Sequence, residues 1–126
     1  MCRHDAMFYS VVNSETGVAG VTTRQPLQPV AMPVDGWSIT SLVTGGMDIS
    51  IYRVAPNALY SSHAAPFECV CIVAEGTGEL FLTDAGGREL DVISCRKGDA
   101  YLQGANTLHG FRNGPQETML IYLRPV

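Results

Sequence analysis

Residues 98–113 read GDAYLQGANTLHGFRN, a pattern that predicts one short strand, a turn and a second strand that carries His109. Side chains alternate along a strand, so His109 and Phe111 share one face. A second segment, PNALYSSHAAPFECVCIVAEG at residues 56–76, carries His63 in strand-like sequence. Two distant segments that place one histidine each in the same cavity indicate a functional site.

The rest of the chain has the spacing of a β protein. Short runs rich in Val, Ile, Thr, Phe and Tyr are broken by Gly, Pro, Asn and Asp about every ten residues, without long helical periodicity. Two glycine-rich connections, Gly45–Gly46 and residues 84–87, supply the positive φ angles that tight hairpins need. We therefore predict an all-β sandwich or barrel with strands at residues 37–44, 47–55, 67–73, 78–83, 89–94, 100–103, 108–112 and 118–123.

The N-terminal part of the chain is less regular. Prolines spaced through residues 25–33 predict an extended arm, because proline cannot donate to a sheet ladder. The strand at residues 67–73 has little polar alternation apart from Glu68, which indicates that both of its faces are covered, one by the barrel interior and one by the arm or another subunit. We expect a barrel domain at residues 37–126, an arm at residues 1–36 that packs on it or on a partner, and a homodimer.

Composition excludes several classes of function. The 126 residues suit one domain, and 46% hydrophobic against 16% charged residues predict a globular protein without a bilayer-spanning run. A net charge of −4, with only 8 Lys and Arg residues, offers no basic surface for nucleic acid. The N-terminus has neither the apolar stretch nor the cationic run of a targeting peptide, so we expect a cytoplasmic protein without a membrane partner.

The four cysteines are interpreted as free thiols. Cys69 and Cys71 on one strand project from the same face about 6.5 Å apart, which is poor geometry for a disulfide. Together with Cys2 and Cys95 they indicate a reducing compartment.

Residues 98–113 resemble the second motif of the cupin family, G-x5-P-x-G-x2-H-x3-N. The first glycine, the histidine and the asparagine of this motif fall on Gly98, His109 and Asn113. Gly104 and Asn106 replace its proline and second glycine, and both suit a turn. The resemblance extends over roughly residues 37–124 and implies a double-stranded β-helix, or jelly roll.

The first cupin motif, G-x5-H-x-H-x3 or 4-E-x6-G, can be laid on the earlier segment in two registers. The gap-free register, which we favour, runs from Asn57 in the glycine position to Gly76 and takes His63 as the first histidine. It leaves Ala65 in place of the second histidine and Cys69 in place of the glutamate. The cavity then offers His63, His109 and the Cys69 thiolate, a soft ligand set that suits Zn²⁺ or copper.

The alternative register takes His63 as the second histidine and Glu68 as the acid, with one extra residue before Gly76. A shift of one residue turns every side chain of a strand to the opposite face, so Glu68 would then face the interior instead of Cys69. The metal ligands would be His63, His109 and Glu68, the two-histidine, one-carboxylate set of non-haem Fe(II). The sequence does not distinguish Zn, Fe, Ni, Mn or Cu, and either set can also stand without a metal.

Three further residues are predicted to line a substrate pocket. Tyr101 and Gln103 share a face of the strand that enters the second motif, where polar groups can orient a ligand. Phe111 is expected in the cavity wall, whereas Asn113 is expected to tie a turn.

Many cupins are metal enzymes and others are sugar-binding, storage or sensory domains, so the resemblance leaves the reaction open. Our leading hypothesis is a single-domain cupin that binds a small organic molecule around a divalent metal, with dioxygenase, isomerase or lyase chemistry. One alternative is a metal-free ligand-binding or sensory module. The other is a metal-free isomerase or cyclase in which His109 is the catalytic base.

Overall fold

Every regular element in residues 6–13 and 15–126, the part of the chain that the computed structural model describes, is a β-strand. The strands are β1 Met7–Asn13, β2 Ala19–Pro26, β3 Val30–Ala31, β4 Trp37–Thr44, β5 Met47–Val54, β6 Leu59–His63, β7 Cys69–Glu75, β8 Thr77–Thr83, β9 Glu89–Arg96, β10 Ala100–Gln103, β11 His109–Asn113 and β12 Thr118–Pro125. The predicted all-β class is confirmed. Across the described ranges, no helix is long and apolar enough to cross a membrane.

The strands form two sheets and a separate hairpin. The larger sheet has the order β10-β7-β12-β5-β4-β3, the smaller sheet has the order β6-β11-β8-β9, and β1 pairs with β2. All pairs are antiparallel. From β5 onward the chain passes between the sheets at every connection except the β8–β9 hairpin. This winding is the double-stranded β-helix, or jelly roll, that the sequence predicts.

Both predicted hairpins are confirmed. Gly45 and Gly46, with φ angles of 58° and 75°, form the two-residue turn between β4 and β5. Between β8 and β9, the side-chain Oδ1 of Asp84 accepts hydrogen bonds of 2.9 Å from the backbone N–H groups of Gly86 and Arg88. An aspartate side chain that accepts hydrogen bonds from the next backbone N–H groups stabilises a turn. Turn residues therefore set the strand register in both hairpins, the glycines in the first and Asp84 in the second.

The residues at the glycine positions of the two motifs share a left-handed backbone conformation. The φ angles are 61° at Asn57, 87° at Gly76, 92° at Gly98 and 59° at Asn106. In the described part of the chain, Asn57 and Asn106 are the only non-glycine residues with positive φ, and asparagine tolerates this region better than most side chains. These angles favour the gap-free register, because only that register puts Asn57 at a glycine position.

Strand β7 has the gap-free register. Cys69, Cys71 and Val73 face the interior with exposures of 5%, 0% and 1%, whereas Val70 is 40% exposed on the outer face. Glu68 precedes the strand and is exposed. The expectation that both faces of this strand are covered is therefore not met within one subunit.

The core lies between the sheets and takes apolar side chains from both. Its buried members are Trp37, Val54, Cys71, Val73, Leu80, Cys95, Phe111 and Leu120. Cys69, Cys71 and Cys95 are free thiols, as predicted, and Cys2 lies outside the described residues.

The N-terminal segment contains more regular structure than predicted. Among the described strands, β1 and β2 pair only with each other. The short strand β3 adds an edge to the larger sheet, and Met32 and Val34 pack against the core. The end of the predicted arm thus lies on the barrel, while packing of the hairpin on a partner stays a prediction.

Candidate functional site

His63 and His109 lie side by side on adjacent strands. The β6–β11 register places His63 directly opposite His109, and their ring centroids are 4.5 Å apart. The same register pairs Tyr60 with Phe111, so β6 has one more residue than β11 between the two pairs. This bulge lets Tyr60 and His63 share a face despite their odd spacing, and their rings stack with centroids 4.0 Å apart.

Both imidazoles are held by the backbone two residues earlier in the chain. Nδ1 of His63 lies 2.9 Å from the carbonyl oxygen of Ser61, and Nδ1 of His109 lies 2.7 Å from that of Thr107. A carbonyl oxygen can only accept, so each Nδ1 donates and the neutral ring keeps its lone pair on Nε2. Within the described ranges, neither Nε2 makes a hydrogen bond, so each lone pair is free to take a proton, accept a hydrogen bond from a ligand or bind a metal.

The charge state of His109 follows from its burial. The residue is only 3% exposed, and burial lowers its pKa below the ordinary value of 6.5. The bond to Thr107 acts in the opposite direction, and the neighbouring His63 adds to the lowering. His109 is therefore a neutral imidazole at pH 7, the form that can accept a proton.

The histidines open onto a cavity of ≈ 200 Å³ that aromatic side chains dominate. Its walls are Trp37, Tyr52, Tyr60, His63, Ala65, Phe67, Cys69, Gln103, His109, Phe111 and Tyr122. Trp37 meets Tyr60 and Phe111 edge to face, with ring centroids 5.1 and 5.8 Å apart. Such packed rings give the cavity rigid, flat walls that suit an unsaturated planar ligand.

Two of the three predicted pocket residues line this cavity. Gln103 and Phe111 do, whereas Tyr101 lies behind the wall and bonds to the hydroxyl of Tyr122 at an O···O distance of 2.9 Å. The other aromatic wall residues were not predicted; they are Trp37, Tyr52, Tyr60, Phe67 and Tyr122. The alternation of inward and outward side chains could have identified the aromatic residues in β4, β5 and β12, since those strands were predicted. It could not have identified Tyr60, because β6 was not predicted.

The two proposed third metal ligands have different positions. Cys69 lines the cavity, and burial raises its pKa, although Arg124 opposes this effect. A metal would therefore have to displace the thiol proton before Cys69 could bind it. Glu68 is exposed and outside the cavity. Its predicted role as a metal ligand is not met, because the one-residue difference in register leaves its carboxylate on the outside.

The donors at the expected metal positions do not fit a metal site held by the protein. His63 and His109 each supply one Nε2, while Ala65 lines the cavity without a donor atom. Among the residues that the structure describes, no group of three His, Cys, Asp or Glu side chains could hold a metal ion. Zinc and non-haem iron sites usually have at least three protein ligands, so two imidazoles fall short of either.

Two buried polar atoms of the wall have no hydrogen-bond partner. They are Nε1 of Trp37 and Oε1 of Gln103, and their side chains are 6% and 7% exposed. An unsatisfied buried group destabilises a protein by about 1–3 kcal/mol. Both residues belong to the cavity wall, so a bound molecule that reached either atom would satisfy it.

Asn113 ties the connections together, as predicted, and does not line the cavity. Its Nδ2 donates to the carbonyl oxygens of Val54, Ala55 and Gln116, and its Oδ1 accepts the hydroxyl of Thr118. This motif residue is therefore structural.

Comparison with known proteins identifies the architecture. No protein-family model matches the sequence, and no curated protein matches it at a significant level. Among solved structures, the polyketide cyclase RemF from Streptomyces resistomycificus has a TM-score of 0.67 at 21% identity, covering 79% of this chain and 73% of that chain. An RmlC-like cupin from Shewanella frigidimarina has a TM-score of 0.63 at 17% identity, covering 77% and 81%.

A variant of the oxalate decarboxylase OxdC from Bacillus subtilis has a TM-score of 0.65 at 11% identity, covering 79% of this chain and 27% of that chain. At identities of 11 to 21%, these likenesses establish a shared fold. Reaction, ligand and metal do not follow from them.

Proposed function

This chain has the cupin fold, and from that premise we propose that it binds a small, flat, unsaturated carbonyl compound and moves a proton on it with His109 as general base. The observation that carries the proposal is the neutral His109 ring, whose free Nε2 lone pair belongs to the wall of an aromatic cavity. The reaction class is a metal-free isomerisation or cyclisation, since the donor set does not fit a metal held by the protein.

The cavity wall favours this class of ligand. Aromatic rings bind flat unsaturated bodies by stacking and edge contacts. The unpartnered Nε1–H of Trp37 offers a donor for a carbonyl oxygen, and Oε1 of Gln103 offers an acceptor for a hydroxyl or N–H group. Burial raises the pKa of Tyr52, so its hydroxyl stays protonated and can also donate.

In the proposed step, Nε2 of His109 takes a proton from a carbon next to the carbonyl group, and the electron pair moves onto the carbonyl oxygen as an enolate. The Nδ1–H bond to the Thr107 carbonyl supports the positive charge that the ring then carries. Return of the proton to a different atom completes an isomerisation. Attack of the enolate carbon on a second carbonyl carbon forms a ring instead, and His109 then returns its proton to the alkoxide oxygen left by that carbonyl group. One structural neighbour is a polyketide cyclase, which is in line with the latter reaction.

The test is hydrogen–deuterium exchange of 1-phenylpropan-2-one in D₂O, followed by NMR. This probe has an aromatic ring and C–H groups next to a carbonyl. We expect the protein to accelerate exchange and His109→Gln to remove most of the acceleration, because a positioned general base contributes about 10²–10⁴-fold. Leu90→Gln, a change at a side chain that is 61% exposed on the edge strand β9, is the matched control and should leave the rate unchanged.

Equal exchange rates in the wild type and in His109→Gln would overturn the proposed base. Metal analysis of protein purified without an affinity tag belongs to the same experiment. Stoichiometric metal that is lost in both His63→Ala and His109→Ala would overturn the metal-free reaction class. Binding of the probe without exchange would favour the second candidate, a ligand-binding module, for which the unsatisfied Trp37 and Gln103 atoms are the supporting observation.

A further inference from the structure

A smaller chamber of ≈ 110 Å³ lies beside the aromatic cavity and has more polar residues in its wall. The two spaces share the wall residues Tyr52, Phe67, Cys69 and Tyr122. The chamber adds the polar side chains of Asp48, Ser50 and Arg124. Among the described residues that line either space, Arg124 is the only arginine or lysine. A ligand that occupied both spaces would therefore meet one cation, the guanidinium of Arg124.

The position of Arg124 is set by strand register and by stacking. The pairing of β12 with β5 places Arg124 opposite Asp48, and Nη2 lies 2.9 Å from Oδ2 of that carboxylate. The guanidinium carbon lies 4.0 Å from the centroid of the Phe67 ring, within the range of a cation–π contact. Both contacts hold the guanidinium at the shared wall. The Arg124 side chain therefore loses little conformational entropy when a ligand binds to it.

The guanidinium keeps donors for a second partner. An arginine has five N–H donors, and the ion pair with Asp48 engages Nη2. The other groups that face it are neutral. Ser50 does not titrate in the ordinary range, and burial raises the pKa values of Cys69 and Tyr122 so that both stay protonated. Among the described residues that line the chamber, Asp48 is thus the one negative charge, and Arg124 already pairs with it.

We propose that Arg124 binds a carboxylate group of the ligand in this chamber, which makes the ligand class a small aromatic or unsaturated acid. This inference rests on one part of the proposed function, the binding of the ligand's flat body in the aromatic cavity. It does not depend on the proton transfer. A guanidinium pairs with a carboxylate through parallel N–H···O bonds, and its half-buried position strengthens them relative to water.

Binding of two probes of nearly equal shape tests this assignment. Phenylacetate and 1-phenylpropan-2-one differ in having a carboxylate oxygen or a methyl group at the same place. We expect calorimetry to show phenylacetate binding at least tenfold more tightly, as charge-assisted hydrogen bonds typically give. The Arg124→Gln variant should lose that preference, whereas Arg124→Lys should retain part of it because it keeps the charge.

Two further variants separate the role of Arg124 from damage to the fold. Asp48→Asn removes the competing carboxylate and should strengthen phenylacetate binding. Arg53→Gln, which removes an exposed arginine paired with Glu117 at 3.4 Å, is the control and should not change it. Equal affinities for the two probes, loss of the preference in Arg53→Gln, tighter binding of 2-phenylethylammonium, or no binding of phenylacetate at millimolar concentration would each overturn the proposal.

The two proposals fail in different ways. If His109 is not the base, phenylacetate still binds through Arg124 and loses affinity in Arg124→Gln. If Arg124 does not bind the carboxylate, the neutral ketone still exchanges its protons and does so equally in Arg124→Gln. Melting temperatures of the Arg124 and Asp48 variants should lie near that of the wild type, because the Arg124–Asp48 pair is partly exposed, at 35% and 22%.

Discussion

Replacement of Asn113 by alanine is expected to destabilise the fold by about 3 kcal/mol. The side chain is buried, and Nδ2 donates to the carbonyl oxygens of Val54, Ala55 and Gln116 at 3.1, 2.9 and 2.9 Å. Its Oδ1 accepts the hydroxyl of Thr118 at 2.6 Å. These bonds join the ends of three strands, β5, β11 and β12, so no single strand can replace them.

The magnitude follows from the hydrogens available. The amide group of Asn113 has two N–H hydrogens, which three carbonyl oxygens share, and its oxygen accepts one further hydrogen bond. The alanine variant therefore loses about three hydrogen bonds, at about 1 kcal/mol each. For a chain of this size, that loss corresponds to a fall of about 10 °C in the melting temperature. The left-behind carbonyl groups lie in a buried connection, where water is a poor substitute.

Urea unfolding followed by the fluorescence of Trp37, the chain's one tryptophan, measures the change. The slope of the transition should be unchanged, so the shift in midpoint reports stability. Asn57→Gly is the matched control, because glycine adopts the observed φ of 61° without strain. A loss below about 1 kcal/mol in Asn113→Ala, which is no more than one net hydrogen bond, would show that this amide does not hold the strand ends together.

Two other measurements test separate features. Burial lowers the pKa of His109 below 6.5 in the folded state. As the pH falls, the unfolded chain therefore takes up a proton at a higher pH than the folded chain does. The free energy of unfolding should then decrease as the pH drops through 6.5 toward the folded pKa. His109→Gln should flatten that dependence in urea midpoints measured on both sides of this window, and an unchanged slope would contradict the burial argument. Val70 and Leu102, 40% and 63% exposed on the outer face of the larger sheet, are expected to lie in a homodimer interface. Sedimentation should show a dimer at micromolar concentration that Leu102→Glu weakens, and a wild-type monomer would contradict it.

Local turn chemistry made much of the barrel predictable. The glycines at residues 45–46 and the turn at residues 84–87 marked two hairpins, and alternation then assigned the flanking strands. His63 and His109 were predicted to meet because each falls on a histidine position of a cupin-like motif. The pairing of β6 with β11 places the two residues opposite each other. Strand β6 was missed, since Leu-Tyr-Ser-Ser-His lacks the β-branched residues that mark a strand.

The cavity itself was less predictable. Its wall takes residues from several strands and from the segment after β6, and their meeting depends on how the two sheets pack. The position of Arg124 illustrates the difficulty, because near the end of the chain it looks like a surface charge until pairing with β5 places it at Asp48. Long-range packing of this kind leaves no local pattern in one sequence.

The β1–β2 hairpin has a consequence for how this protein can be observed. Its strands pair only with each other among the described strands, and an isolated two-stranded hairpin is marginally stable in water. The amide hydrogens of β1 and β2 should therefore exchange with solvent through local opening that leaves the barrel folded. Any condition that slows exchange there, but not in β8 or β12, would report contact of the hairpin with another surface. Amide exchange in β1 and β2 can thus report association of the hairpin independently of the stability of the barrel.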